Sequence, residues 1–317
     1  MSNSVKSLAK KLLEGDSRGA GAVRHALFVR QCRRDAELVE KVSRAIGMPQ
    51  LADRTEPDKP SSEDVLFVLA GGATVNELSA EDWQLIEKHV SIGINFWPIH
   101  PFVPTILTTE TDSVSPANPF LTRLLEHPRV VDNPPEIFIL RTLWPPKPEV
   151  LPELPDAFQN RRFVYGRANL ITRRLENLAG DLRRVIHSVR KGQLPQSILP
   201  DNGSSVVRLT FYAIARGFRQ IVWVGVDQNS GHYFWTQPPV PKHFQAAAKA
   251  VPRSAGEPHS TSDSTKRSFS NDDFLRTLGK TLAEDFGIQI YVSSENSSLS
   301  DSLPVFPWAD RRQASSK

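Results

Sequence analysis

The sequence has little of what marks a disulfide-rich, zinc-binding or membrane-spanning protein. Its 317 residues include a single cysteine, Cys32, which excludes an intramolecular disulfide framework and a zinc site built on several cysteines. No apolar run approaches the roughly 18 residues that a membrane-spanning helix needs, and the first residues lack the continuous apolar core of a secretory signal. These absences predict a cytoplasmic protein, with peripheral attachment to the inner membrane as the alternative.

The chain also has little net charge. Its 39 Lys and Arg residues against 35 Asp and Glu leave a formal charge of +4, which does not predict a nucleic-acid partner. The basic residues are unevenly distributed, because residues 4–50 hold ten of them against five acidic residues, and residues 160–191 hold nine against two. Helical periodicity in both stretches favours solvated basic helices. A docking surface for anionic lipid or for a partner is the second interpretation.

Short, continuous apolar runs dominate the rest of the sequence. Three of them, at residues 65–69, 90–94 and 220–224, are typical of strands that are buried on both faces of a parallel sheet. Segments with helical periodicity follow at residues 76–89 and 204–216. The alternation predicts an α/β fold in which a Rossmann-like, mostly parallel sheet is flanked by helices.

Polar residues and glycines follow these strands where each strand ends. Gly71, Gly72 and Thr74 follow the first strand, Asn95 the second and Asp227 the third. Glycines let the backbone approach a phosphate, and an asparagine offers a donor and an acceptor to a base or a sugar. Ligands of open parallel sheets bind outside the carboxyl ends of the strands, so we expect these residues to line one crevice sized for a nucleotide. Tight turns and loop caps without a ligand are the alternative.

A second polar group follows Asp227 within one short turn. His232 and Tyr233 add an imidazole and a phenol to the carboxylate, and such groups bind phosphate or ribose or move a proton. A hairpin with incidental polar residues is the alternative. Because the chain has no H-E-x-x-H motif and no cysteine beside its histidines, we predict no dedicated metal site. Ser204 and Ser205 lie outside any G-x-S-x-G elbow, so neither is predicted to be a nucleophile.

Taken together, these positions resemble a known family. An apolar strand with a glycine turn, a strand ending in asparagine, a serine-led helix and a strand followed by Gly-Val-Asp occur in that order. The matching segments are VLFVLAGGATV, SIGIN, GSSVVRLTFYAIARGFRQIVWVGVD, NSGHYFW and DDFLRTLGKTLAEDFGIQIYVSS. Over about residues 64–294 the pattern resembles the bacterial sialyltransferases and the sialyltransferase-like motility accessory glycosyltransferases. An archaeal hydroxymethylpterin diphosphokinase group shares the sheet plan.

The resemblance implies a metal-independent transferase that moves a sialic-acid-like sugar from a CMP-activated donor to an acceptor hydroxyl. It also implies which residues bind the donor: Gly71, Gly72, Thr74 and Asn95 hold the CMP part, and Ser204, Ser205 and Asp227 contact the sugar, phosphate or ribose. In such enzymes a lid tyrosine stabilises the leaving phosphate and a lid histidine is the general base, which here correspond to Tyr233 and His259. His232, beside Tyr233, is a further catalytic candidate.

The same segments predict the domain organisation. Residues 1–60 form a basic helical extension and linker, residues 61–299 a catalytic domain with a loop-rich lid at about 228–270, and residues 300–317 a flexible tail. The expected partners are a nucleotide sugar and a glycan, lipid or protein acceptor, with no further cofactor. Two other functions stay open. One is an ATP-dependent, pterin-type diphosphokinase; the other is an inactive binding module, because the first turn reads Ala-Thr where the family has Pro-Ser.

Overall fold

A computed structural model describes residues 15, 17–54, 60–61, 63–110, 123–140, 154–227, 232–237, 239–240, 242–245, 249 and 269–314. The strands of this part are β1 Val65–Leu69, β2 Val90–Ile94, β3 Ile106–Glu110, β4 Glu136–Leu140, β5 Arg162–Asn169, β6 Ile198–Asp201, β7 Gln220–Val224 and β8 Gln289–Val292. They form one sheet in the order β6-β5-β4-β3-β2-β1-β7-β8, and every neighbouring pair is parallel. The prediction of an α/β fold with a mostly parallel sheet is confirmed.

Helices pack against the sheet and against one another. They are α1 Arg18–Ile46, α2 Ala80–Glu87, α3 Pro128–Val131, α4 Leu175–Arg190, α5 Ser205–Arg216, α6 Asn271–Phe286 and α7 Trp308–Ala314. Both α2 and α6 begin with a serine that exchanges hydrogen bonds with an aspartate three residues later, which satisfies backbone amides at the helix start. Within the described ranges, none of the helices combines the length and the apolar character needed to cross a bilayer.

The middle of the sheet is the centre of the core. All five residues of β1 have no exposed surface, and most of the neighbouring strand β7 is equally buried. A strand covered on both faces needs apolar residues at every position rather than at alternate ones. This requirement explains why β1, β2 and β7 have the bounds that their apolar runs predict.

Helix α1 is an integral part of the domain. It packs against β5 and α4, and it buries Phe28, Cys32 and Val39. Its buried Arg24 donates to Asp181 of α4 at 2.7 Å. The interpretation of this region as a solvated helix is therefore wrong for residues 18–46, because one apolar stripe is enough to attach a helix whose outer face stays basic.

The basic stretch at 160–191 is helical only in its second half. Its first half is the strand β5, in which Phe163 and Tyr165 are buried, and helix α4 begins at Leu175. Arg162 at the start of β5 and Arg167 near its end concealed its apolar centre. Strand β6 was not predicted either, since it contains Pro200, a residue that sheets accept at an edge such as this one.

Residues 300–314 do not form the flexible tail that their polar composition predicts. Val305 forms an isolated parallel bridge with Val292, the last residue of β8. Phe306 is buried, and its ring packs edge-on against Phe67 of β1 with 5.5 Å between centroids. Two aromatic residues, Phe306 and Trp308, are enough to fix this segment among many polar ones.

Candidate functional site

The ends of β2, β1 and β7 meet at one edge of the sheet. These strands are neighbours and parallel, with Leu69 of β1 aligned with Gly93 of β2 on one side and with Val224 of β7 on the other. The residues that directly follow them therefore share this edge. They are Gly71, Gly72 and Thr74 after β1, Asn95 after β2, and Asp227 after β7. This is the juxtaposition that a nucleotide crevice requires.

Asp227 is hydrogen-bonded to the first turn, residues 70–74, which follows β1. Its Oδ2 accepts from the amide of Thr74 and its Oδ1 from the Thr74 hydroxyl, both at 2.8 Å. Burial raises the pKa of Asp227, the two bonds from Thr74 oppose that effect, and the nearby charge of Glu77 adds to it. In this arrangement the carboxylate of Asp227 fixes the turn that follows β1.

The second glycine of the turn is required by this contact. A Cβ atom on Gly72 would lie 2.4 Å from Oδ2 of Asp227 and 2.5 Å from the carbonyl oxygen of Gly225. The Gly72 amide itself donates to Gly225 at 2.8 Å. The amides of Gly72 and Thr74 thus donate hydrogen bonds within the protein. A phosphate could accept hydrogen bonds from them only if their bonds to Gly225 and Asp227 were broken.

A short segment lies over the first turn; we call residues 232–237 the clasp. The amide of Phe234 donates to the carbonyl of Gly71 at 2.9 Å, and Tyr233 forms an isolated antiparallel bridge with Gly72. Asn76 fastens the other end, since its Nδ2 donates to the Phe234 carbonyl at 2.9 Å and to Gln237 at 3.0 Å. The beginning of the expected lid is therefore attached to the glycine turn.

Aromatic packing holds the clasp in place. The rings of Tyr233 and Trp235 stack with 4.4 Å between centroids and an interplanar angle of 12°. A Cβ atom on Gly71 would lie 2.8 Å from the Tyr233 ring, so only glycine leaves room for this stack. Half-buried His232 adjoins Tyr233 in the clasp. His259 and most of the expected lid at 228–270 lie outside the described residues.

Asn95 has the left-handed backbone conformation, with φ of 51°. Asparagine tolerates this region better than most residues with a side chain. Its amide donates to the carbonyl of Thr108 at 2.8 Å, which joins the turn to β3. No hydrogen bond of its side-chain amide occurs within the part of the chain that the structure describes, so the group is available to a ligand at this edge.

Ser204 and Ser205 lie elsewhere on the sheet. They follow β6, and four strands separate β6 from β1. Ser204 donates its amide to Asp201, and Ser205 accepts from Nη2 of Arg208 at 2.7 Å. Arg208 also pairs with Asp201 at 3.1 Å, and both side chains are buried. The strand order does not bring these serines to the ends of β1, β2 and β7, and Ser205 already has a cationic partner.

Solved structures of sialyltransferases from Campylobacter jejuni align with most of the chain. CstII, solved with cytidine-5′-monophosphate, is 14% identical with a TM-score of 0.42, covering 78% of this chain and 87% of CstII. Cst-I, a monofunctional α-2,3-sialyltransferase, is 15% identical with a TM-score of 0.43, covering 80% and 84%. An α-2,3-sialyltransferase in its apo form is 14% identical with a TM-score of 0.40, covering 80% and 85%.

This chain is distantly similar to sialyltransferases in structure. No family model matches its sequence, and no curated protein matches it either. The values of identity and TM-score are low, so the functional proposals below rest on the residues of this chain.

One feature of the edge was not predicted. Partly exposed Trp83 and Phe102, together with buried Trp97 and His100, form an aromatic cluster beyond Asn95, and Phe234 of the clasp joins it at 5.5 Å from the Trp97 ring. Nδ1 of His100 accepts from the Phe102 amide at 3.1 Å. The aromatic residues that follow Asn95 were the available signal. Over the described residues, no group of three His, Cys, Asp or Glu side chains is placed to hold a metal ion.

Proposed function

We propose that this chain is a glycosyltransferase that transfers a sialic-acid-like sugar from a CMP-activated donor to a hydroxyl of a glycan, lipid or protein acceptor. One observation carries the proposal: the first turn, Asn95 and Asp227 lie at the carboxyl ends of three neighbouring parallel strands. Open α/β sheets bind nucleotides at such edges. The sequence segments that supply these residues are also the ones that resemble the sialyltransferase family.

The chemistry requires two groups besides a donor site. Transfer breaks the bond between the anomeric carbon of the sugar and the phosphate oxygen of CMP, and it forms a bond from that carbon to the acceptor oxygen. The acceptor hydroxyl loses a proton while the departing phosphate gains charge. We propose that the hydroxyl of Tyr233 stabilises the leaving phosphate. His259 would accept the proton of the acceptor hydroxyl, and His232 is the other candidate base. A positioned base contributes typically about 10²–10⁴-fold in rate.

Asn95 provides the direct test of the donor site. CMP is expected to raise the melting temperature of the wild-type chain, and Asn95→Gly is expected to weaken CMP binding about 10-fold, the usual effect of losing one hydrogen bond. Glycine is the suitable replacement because it accepts the φ of 51° that alanine would strain. If no cytidine nucleotide changes the melting temperature, or if the variant responds like the wild type, the proposal is wrong.

Metal independence is part of the proposal. The hydroxyl of Tyr233 would stabilise the leaving phosphate in place of a metal ion. Transfer should then persist at full rate in EDTA. A rate that collapses in EDTA and returns with Mg²⁺ or Mn²⁺ would contradict this part alone.

A pterin-type diphosphokinase remains the alternative enzyme. It would need carboxylates to hold Mg²⁺ with ATP, whereas both oxygens of Asp227 are engaged by Thr74. Stabilisation by ATP with Mg²⁺ and none by CMP would favour this function. An inactive binding module would respond to neither nucleotide.

We also propose a cytoplasmic location with contact to an anionic membrane surface through α1. Its outer face exposes basic residues that include Arg30, Arg33 and Lys41. Sedimentation with vesicles of anionic lipid should remove the wild-type chain from solution, and reversing these three charges should prevent it. Equal sedimentation of the two proteins would dismiss the contact.

A further inference from the structure

Arg129 is a half-buried cation without a carboxylate partner among the described residues. It lies in the short helix α3, and its Nη2 donates to the carbonyl oxygen of Pro98 at 2.5 Å. Its Nε is enclosed and has no hydrogen-bond partner in the part of the chain that the structure describes. Burial lowers the pKa of Arg129. A guanidinium that has lost water without gaining an anion is costly for the fold.

The two fully buried arginines among the described residues are balanced. Arg24 pairs with Asp181 at 2.7 Å, and Arg208 pairs with Asp201 at 3.1 Å. The fold therefore supplies a carboxylate to each of these completely buried guanidinium groups. Arg129 differs because its one described side-chain partner is a neutral carbonyl.

Pro98 places this cation beside the proposed nucleotide edge. It lies three residues after Asn95, in the turn Trp97–Ile99. Trp97, the residue before it, contacts the ring of Phe234 in the clasp. The guanidinium is thus attached to the segment that connects Asn95 with the aromatic cluster.

We propose that Arg129 binds an anionic oxygen group of the substrate, either the phosphate of the nucleotide donor or the carboxylate of an acidic sugar. This inference rests on the proposed function for its choice of substrate. A guanidinium matches both groups, because its planar fork of donors fits two oxygens at once. The anion would supply the counter-charge that the described protein does not, and the enclosed Nε–H would gain an acceptor.

The test compares Arg129→Gln with a matched control, Arg161→Gln. Arg161 also donates to a proline carbonyl, Pro134 at 3.2 Å, but it is exposed and lies just before β5, at the amino edge of the sheet. Calorimetric titrations would use CMP, cytidine, inorganic phosphate and N-acetylneuraminic acid. We expect Arg129→Gln to weaken binding of CMP or of the sugar acid about 10- to 100-fold and to leave cytidine unchanged. Arg161→Gln should change none of these.

The probes separate the two sources of the anion and the two proposals. If Arg129→Gln loses affinity only for CMP and phosphate, Arg129 binds the phosphate of the donor. If it loses affinity only for N-acetylneuraminic acid, Arg129 binds the carboxylate of an acidic sugar. Equal binding of every anionic probe by Arg129→Gln and wild type overturns the inference, as does a wild type that binds no anionic probe. A wild type that binds phosphate or the sugar acid through Arg129, but no cytidine compound, keeps the inference and refutes the proposed function.

Stability without ligand distinguishes binding from a structural role. Because no described residue gives Arg129 a counter-charge, Arg129→Gln should melt no lower than the wild type in the absence of anions. Arg129→Lys keeps the charge without the fork and should recover part of the affinity. A structural role predicts the reverse, with a lower melting temperature and unchanged dissociation constants.

Discussion

Two aspartates follow strands at the carboxyl edge of the sheet, and the protein satisfies them differently. Asp201 ends β6, accepts bonds from the turn that follows it and pairs with buried Arg208 at 3.1 Å. Asp227 follows β7 and, within the described part of the chain, accepts hydrogen bonds from Thr74 alone. One carboxylate is neutralised by a cation, and the other is held only by neutral donors.

This difference indicates different roles. Asp201 has a buried cation beside it, whereas the pKa of Asp227, which is held by neutral donors, is raised by burial. Carboxylates of the second kind are concentrated at functional sites. We therefore expect the Asp201 region to govern stability and the Asp227 region to govern the response to ligand and pH.

The largest expected effect is on the Asp201 region. Arg208→Leu should reduce the free energy of unfolding by about 3 kcal/mol, because it removes the buried cation of a fully buried carboxylate and leaves only the partly exposed Arg167, at 3.3 Å, to pair with it. Urea denaturation measures this loss. Lys280→Ala is the control, since Lys280 belongs to an exposed pair with Glu284 and should change stability by less than about 0.5 kcal/mol. A similar small change for Arg208→Leu would remove the distinction between the two regions.

The glycines of the two turns should respond differently to substitution. Gly72→Ala should cost about 1–3 kcal/mol, because the new methyl group meets Asp227 and a backbone carbonyl at 2.4 and 2.5 Å. Gly203 has open space around it but a φ of 93°, so Gly203→Ala should cost only about 1 kcal/mol, for backbone strain.

Substitution by asparagine separates lack of space at Gly72 from backbone strain at Gly203, since asparagine tolerates positive φ. Gly203→Asn should regain stability relative to Gly203→Ala, whereas Gly72→Asn should be worse than Gly72→Ala because the larger side chain meets the same atoms. Denaturation midpoints of the four variants give the comparison. Equal recovery at both positions would show that space is not the constraint at Gly72.

The smallest effect is a pH dependence at Asp227. Its folded pKa is raised, so its contribution to stability is complete below the unfolded pKa of about 3.9 and is lost as the pH rises through the folded value. Asp227→Asn does not titrate. The free energy of unfolding of the wild type, minus that of the variant, should therefore fall as the pH rises across this window and become constant above it. A difference that grows with pH would show that the pKa is depressed instead.

The sequence predicted the centre of the sheet and missed one of its edges. Strands β1, β2 and β7 are apolar at nearly every position because helices or other segments cover both of their faces, so their bounds could be read directly. Strand β5 contains Arg162 and Arg167 and β6 contains Pro200, and neither pattern resembles the continuous apolar run of a buried strand. An edge strand such as β6 accepts a proline because one of its sides has no neighbouring strand to receive the missing N–H, so local composition identifies neither β6 nor the mixed strand β5.

The position of the candidate site could be predicted from the sequence, but its contacts could not. That Gly72, Asn95 and Asp227 share an edge follows from the rule for parallel strands, once the strands are known. That Asp227 binds Thr74, or that Arg129 reaches Pro98 from 31 residues away, depends on contacts between distant segments. No spacing in the sequence encodes such contacts.

The strand order also has a consequence for folding during synthesis. Val65 of β1 aligns with Gln220 of β7, its neighbour on one side, so 155 residues must be made after β1 before that side can close. At about 5–20 residues per second this takes roughly 8–30 seconds. Throughout that time a fully apolar pentapeptide lacks one partner strand, which makes the nascent chain a natural client for chaperones that shield hydrophobic surface.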